Sequence, residues 1–285
     1  MQVVLIHLGS RLPSYLRACA AQVEAVTGRP PAIVGRRQAK RMSGEKLRRF
    51  RVVESLTDMG LGGFWRYSAE RFFVLEDFMA EAELKHCLHI ESDNLLCVDP
   101  ARYAEWLRET YGDTIASCPI TDDEDTAAVL SVGSLEALAA FNVALLELIA
   151  LPPTELLERF GGAMANEMRM IRIVRDQGLA QALPITLASA RDTGSPVIFD
   201  PGSYGQCVDG IPGKPGIPYT GDHHEVGREL LAKRCRIVWD AERHAPAVRG
   251  ADESNELPLA NLHIHSKRLD RFVNRTGRFT RWLER

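Results

Sequence analysis

The run Val3-Val-Leu-Ile-His-Leu8 is almost wholly apolar and breaks off at Gly9, Ser10 and Pro13. An apolar run without alternation marks a strand buried on both faces, and such strands belong to parallel sheets covered by helices. From Tyr15 to Val26 the apolar residues Leu16, Cys19, Ala20, Val23 and Val26 recur at helical spacing, and the short run Ala32-Ile-Val34 follows Pro30 and Pro31. Strand, helix, strand is the opening of an α/β sheet.

The same alternation continues along the chain. Arg36 to Arg51 is basic and is expected on the surface as a loop or helix, and Phe64 to Glu83 carries apolar positions at helical spacing. Lys85 to Ile90 is a second buried-strand pattern, ending on Glu91-Ser92-Asp93-Asn94. In open α/β sheets ligands bind beyond the carboxyl ends of strands, which is where this acidic cluster falls.

Further strands are expected at Thr114 to Cys118 and Ala127 to Val132. A helix is expected from Ser134 to Ala150, with Ser134 as its N-cap and Pro152-Pro153 as its stop. Thr154 to Gln177 reads as helical again, weakened at Gly161-Gly162, and Val197 to Asp200 as extended. Pro201 to Gly227 is rich in Gly and Pro and reads as one long irregular loop, a lid or an acceptor site. Cys235 to Asp240 and Pro258 to His265 read as strands, and Arg268 to Arg285 as an amphipathic terminal helix. No repeat or linker divides the chain, so residues 1–285 are expected to form a single α/β domain.

A chain of 285 residues with 45% hydrophobic content can enclose a sizeable core. The formal charge of -3 gives no electrostatic reason for a nucleic-acid partner. The six cysteines are scattered, without the close pairing of a zinc ribbon or redox motif. The start MQVVLIHLG lacks the basic leader of a signal peptide, and no apolar run approaches bilayer-spanning length. A cytoplasmic chain with reduced thiols is the expectation.

Two constellations can carry chemistry. Glu91-Ser92-Asp93 puts carboxylates at alternate positions of an extended segment, where both can turn to one side and hold a hard divalent cation. The other account is a solvated turn. Asn261-Leu-His263-Ile-His265-Ser-Lys267 puts both histidines on one face of an extended segment and Ile264 on the other, with a lysine able to meet a phosphate. The other account is a pair of sheet-edge histidines with a solvated lysine. The run Asp122 to Asp125 reads as a solvated acidic turn.

Taken together, VLIHLGSRLPSYLRACAAQ, ERFFVLEDFM, LKHCLHIESDNLL and PLANLHIHSK resemble, in order, segments of nucleotide-sugar glycosyltransferases of the GT-A fold, in particular bacterial polysaccharide and cell-surface enzymes. The resemblance implies a Rossmann-like mixed sheet flanked by helices, with residues 1–132 as a nucleotide-binding half and 133–285 as a loop-rich acceptor-side half. It implies a divalent metal, Mn2+ or Mg2+, held by Asp93 and a late histidine, His265 first and His263 close behind. His7, Gly9, Arg71, Glu91 and Lys267 would meet the nucleotide and its phosphates, with Glu91 departing from the family's Asp. An equal account of Arg71 is an ion pair with Glu70 or Glu76. The donor would be a UDP- or GDP-sugar and the acceptor a glycan or lipid-linked hydroxyl. The setting would be bacterial surface polysaccharide synthesis in the cytoplasm, at the inner membrane face, with weak peripheral membrane contact through the basic C-terminal segment.

Breaking the bond from sugar to diphosphate leaves negative charge on the leaving group, which a metal and a lysine stabilise. An inverting reaction also needs a carboxylate to take the acceptor's proton. The candidates are Glu167, mid-helix in ANEMRM, whose other account is an exposed helix carboxylate, and Asp200, whose other account is to cap a turn before Pro201; a retaining reaction would use neither in the same way, so the stereochemistry stays open. Two readings from other classes use the same residues: a metal-dependent nucleotidyltransferase or phosphohydrolase, and a catalytically silent GT-A-like binding domain.

Overall fold

The structure is a computed structural model, and it describes residues 1–54, 64–161, 166–240, 245–253 and 255–272. The first half runs β1 (Gln2–His7), α1 (Ser14–Thr27), β2 (Ala32–Gly35), α2 (Arg36–Ala39), α3 (Glu45–Val53), α4 (Phe64–Glu81), β3 (Cys87–Ile90), β4 (Asn94–Leu96), α5 (Ala104–Tyr111), β5 (Ile115–Pro119) and β6 (Asp125–Val132). The second half runs α6 (Leu135–Ile149), α7 (Pro153–Arg159), α8 (Glu167–Asp176), β7 (Ala180–Ala182), α9 (Leu187–Thr193), α10 (Ser203–Asp209), β8 (Gly210–Ile211), β9 (Lys214–Pro215), α11 (Glu225–Leu231), β10 (Cys235–Asp240), β11 (Ala245–Gly250), β12 (Glu256–Pro258) and β13 (Asn261–His263).

A mixed sheet of order β2-β1-β3-β6-β5-β7 forms the centre. Strand β1 lies parallel to both β2 and β3, and β6 runs antiparallel to its neighbours β3 and β5. Alternate residues of β1 feed opposite faces: Val4 and Ile6 enter one apolar cluster with α4 and α6, and Val3 and Leu5 enter the other with α1 and the second-half loops. Helices therefore cover both faces, as the unalternating strand runs require. The chain leaves β1 for β2 on one side and returns as β3 on the other, so the carboxyl ends of β1 and β3 flank a switch point of the sheet.

Strands β10, β11 and β12 form a separate antiparallel sheet, and β4 pairs antiparallel with β13 in a two-stranded ribbon just beyond the end of β3. Ser134 caps α6 by accepting from the Ala137 N–H, as its sequence position suggests. Among the described residues no helix is long and apolar enough to cross a membrane.

Several expectations are corrected here. The helical stretch expected over Thr154 to Gln177 is divided into α7 and α8, and Asn166 caps α8 by accepting from the Arg169 N–H, so Glu167 is the first helical residue and not a mid-helix one. Pro201 to Gly227 is not one irregular loop: it holds α10, the β8–β9 hairpin and the start of α11. The Asp200 carboxylate organises its beginning by accepting the N–H groups of Gly202, Tyr204 and Gly205. Asp125 is no part of a solvated turn, because it is buried and its two oxygens bind the Arg175 guanidinium at 2.6 and 3.0 Å. Of the terminal helix only one 3-10 turn, Leu269–Arg271, falls among the described residues, and 273–285 lie outside them.

Candidate functional site

Strand β3 delivers Glu91 and Asp93 to the switch-point edge, and the β4–β13 ribbon brings the late histidines to them. The register pairs His263 with Asn94, and the Ile264 N–H donates to the Asp93 carbonyl at 2.9 Å. Antiparallel pairing at this position puts the His263 ring over both acids: its Nε2 lies 3.2 Å from Glu91 Oε2 and 3.2 Å from Asp93 Oδ2. Ile264 turns the other way into the core, and the rings of His263 and His265 share one face with centroids 4.2 Å apart.

Each of these groups has strong electrostatic partners. Burial works against the ionised form of Asp93, but His263 and Lys267 together outweigh it and hold the carboxyl well below the usual carboxylate range. Burial likewise opposes charge on Glu91, and Arg71 and His263 reverse its effect. Burial opposes charge on His263 too, yet Asp93 and Glu91 raise its proton affinity. Lys267 sits in the left-handed backbone region at φ 63°, at the end of a turn closed by its N–H to the Ile264 carbonyl. That bend carries its ammonium to Asp93 and to within 5.6 Å of the Tyr15 ring centroid.

Arg71 pairs with neither Glu70 nor Glu76, which bind Arg51 and Lys46. It is buried and ion-paired to Glu91, and its other terminal nitrogen lies 3.6 Å from Glu167 Oε1. Glu167 is 4% exposed, and burial raises its carboxyl to about 7 against the pull of Arg71. At the end of β1, the His7 Nε2 donates to the Arg11 carbonyl at 3.0 Å, and Gly9 leaves room for that ring, since a Cβ there would lie 2.6 Å from Nε2.

A cavity of about 540 Å³ joins these groups: His7, Gly9, Arg71, Glu91, Asp93, Glu167, His263, His265 and Lys267 all line it. Trp65, Tyr67 and Tyr15 line it as well. Nothing in the sequence pattern singled these aromatics out, because aromatic residues at the start of an amphipathic helix look like core. Asp200 is not among the lining residues. It is fully buried, and besides the three amides at the start of α10 it accepts the His263 N–H at 2.9 Å. Asn261 bonds both the N–H and the carbonyl of Asp200 and donates to Asn94 Oδ1 at 2.7 Å. The start of α10 is thus a seat for the histidine strand. Gly205 backs onto the His263 carbonyl, Gly202 onto the His265 ring, and Gln206 Nε2 lies 3.1 Å from His265 Nδ1.

The donor set Glu91, Asp93 and His263, with one atom from each within 4.8 Å of the others, suits a divalent cation that accepts both oxygen and imidazole. Bonds of about 2.1 Å put adjacent ligands of an octahedral ion about 3 Å apart, close to the 3.2 Å spacings found here. His263, not His265, belongs to this cluster. Burial and His263 push His265 down to about 3, so it is neutral, and its Nε2 has no hydrogen-bond partner.

No family model matches the chain, and no curated protein sequence matches it. Among solved structures, a glycosyltransferase involved in glycosylation of the major capsid of PBCV-1 aligns with a TM-score of 0.38 at 11% identity, covering 67% of this chain and 88% of its own. Mouse xyloside xylosyltransferase 1 in its apo form aligns at 0.40 and 9% identity, covering 64% and 84%. The galactosyltransferase LgtC in complex with donor and acceptor sugar analogs aligns at 0.38 and 12% identity, covering 65% and 73%.

Proposed function

We propose that this chain transfers a sugar from a nucleoside-diphosphate donor, a UDP- or GDP-sugar, to a hydroxyl acceptor with the help of Mn2+ or Mg2+. The observation that carries the reading is the meeting of Glu91, Asp93, His263 and Lys267 at the switch-point edge, in one cavity with the Arg71–Glu167 pair. Glu91, Asp93 and His263 would hold the metal, which when bound supplies positive charge beside the diphosphate. The Lys267 ammonium is placed to meet the same developing charge, and the backbone around His7 and Gly9 forms the wall for the nucleotide. Glu167, with a carboxyl that titrates near neutrality, takes the acceptor proton as the acceptor oxygen bonds to the sugar's anomeric carbon. The bond from that carbon to the diphosphate breaks, and its electron pair leaves with the diphosphate. Asp200 has its oxygens engaged by backbone amides, so its part is to hold His263 in place.

The resemblance of the quoted segments supports a glycan or lipid-linked acceptor and a role in bacterial surface polysaccharide synthesis at the cytoplasmic membrane face. The test is thermal stability against a panel of nucleoside diphosphates, with and without Mn2+, in the wild type and Asp93→Ala. A ligand that binds only the folded state raises the midpoint. A manganese-dependent rise for one nucleotide, lost in Asp93→Ala, is expected. No rise with any nucleotide would overturn the reading in favour of a silent domain.

A further inference from the structure

Lys267 differs from Asp93 and His263 in how it is held. Its side chain is 46% exposed, on a flexible stem, and its backbone takes the left-handed conformation, which a residue with a Cβ keeps only where its surroundings impose it. The imposing group is Asp209, the last residue of α10. Its carboxylate is wholly buried, and its oxygens bind the turn around Lys267: Ser266 Oγ donates to Oδ2 at 2.5 Å, Arg271 pairs with Oδ1, and Arg268 Nε lies 4.0 Å from Oδ2. Ser266 and Arg268 are the residues on either side of Lys267, so the carboxylate grips both flanks of the left-handed residue. Ser266 Oγ also accepts the Arg268 N–H at 3.4 Å, and Leu269 is buried in the apolar cluster that holds Leu16 of α1. Asp209 is itself fixed, since its carbonyl accepts the Gly216 N–H at 2.7 Å. A buried carboxylate needs compensating charge, and here groups of this one turn supply it, so loss of the acid is felt first at the turn.

We infer that Asp209 is a positioning residue for Lys267: through Ser266 and Arg271 it fixes the left-handed turn that carries the ammonium to Asp93. Helix α10 thus seats His263 from its start, through Asp200, and Lys267 from its end, through Asp209. The inference deepens the proposed function and rests on it for the task of Lys267 at the diphosphate; the placement of the ammonium at Asp93 rests on this geometry alone.

Three variants of the full chain test it. Asp209→Asn keeps the shape of the side chain and gives up its charge, while Ser266→Ala and Arg271→Ala each remove one arm of the grip at a half-buried position and leave the acid in place. The first measurement is competitive acetylation by acetic anhydride, read at each lysine by peptide mass spectrometry, with the exposed Lys40 and Lys85 as references. An ammonium held on a carboxylate reacts slowly, so Lys267 is expected to react about threefold faster in Asp209→Asn and about twofold faster in the two milder variants, with the references unchanged. The second is the dissociation constant of UDP and of GDP with Mn2+, in a cycle with Lys267→Ala. Asp209→Asn is expected to weaken nucleotide binding about tenfold when Lys267 is present and less than about twofold when it is absent, because a residue that acts through Lys267 has nothing to act on without it. A merely structural role gives the same loss in both backgrounds, and that result would overturn the inference, as would a Lys267 acetylation rate that all three variants leave unchanged. Failure of the wild type to bind UDP and GDP would bring down the functional reading instead, and acetylation would then decide the placement of Lys267 by itself.

Discussion

Asp93 and His263 come from opposite halves of the chain, and one side-chain contact and the backbone bond of the neighbouring Ile264 hold them together. The Ile264 N–H donates to the Asp93 carbonyl at 2.9 Å, and His263 Nε2 lies 3.2 Å from Asp93 Oδ2. The backbone bond sets the register, and the register sets the side-chain contact. Glu91 and Asp93 stand not in an extended segment, as the sequence suggested, but in the turn between β3 and β4, closed by the Asn94 N–H to the Glu91 carbonyl at 3.0 Å, and the strand β13 brings His263 to that turn.

Cation affinity follows from that arrangement. Asp93→Ala and His263→Ala each remove a ligand atom, and Mn2+ binding followed by EPR titration is expected to weaken by about a hundredfold. His265→Ala removes a ring outside the cluster and is expected to change affinity by less than about tenfold. Equal losses for the two histidines would count against the assignment of His263.

Glu167 makes stability depend on pH in a defined direction. Its carboxyl is raised from 4.5 to about 7, chiefly by burial. Below pH 4.5 it is protonated in the folded and unfolded chain alike. Between pH 4.5 and 7 the unfolded chain releases the proton while the folded chain keeps it, so the folded state loses stability as pH rises through that window, by up to about 3 kcal/mol, and the loss is complete above pH 7. Glu167→Gln removes this contribution. Urea unfolding of both proteins at pH 4.5 and 7.5 is expected to show the glutamine variant gaining relative to the wild type by that amount.

Gly205 backs onto the His263 carbonyl so closely that a Cβ has no space, and the obstructing atoms belong to the backbone. Gly205→Ala is expected to destabilise the fold by about 2 kcal/mol or more and to weaken Mn2+ binding with it. Gly35→Ala is the control: nothing lies within 4 Å of the added carbon, and φ there is -91°. Its unfolding free energy is expected to stay within about 0.5 kcal/mol of the wild type.

Asp200→Asn separates a positioning role from proton transfer. The carboxylate accepts four backbone N–H groups, from Gly202, Tyr204, Gly205 and His263. An amide replaces one accepting oxygen with a donor that faces N–H groups, at a cost of about 2–4 kcal/mol. Lower stability together with weaker Mn2+ binding is the expected result; unchanged stability would return Asp200 to the list of candidate proton acceptors.

The apolar runs at Val3 to Leu8 and Lys85 to Ile90 are sufficient to place two buried strands, and hydrophobic burial leaves such runs few alternatives to a sheet covered on both faces. Asp93 was legible for that reason, as a carboxylate at the end of one of them. The alternation His263-Ile264-His265 likewise sets which side chains share a face, because a strand's period is two.

That same period cannot rank the two histidines, since both satisfy it. The pairing of His263 with Asn94 decides between them, and it depends on β4, a three-residue strand too short to show in the sequence. Segment 201–227 escaped for a related reason: Gly and Pro there read as irregular, while α10 starts on bonds from the side chain of Asp200, which the pattern of the segment does not contain. The aromatic turn of α4 carries the same periodicity whether it faces core or cavity. Sequence determined which apolar strand runs are buried and which side of a strand their neighbours take, because those patterns are local; tertiary structure alone decided which charged groups are buried with them, Asp125 and Glu167 among them, and which groups meet, because register and long-range hydrogen bonds join residues that share no local pattern.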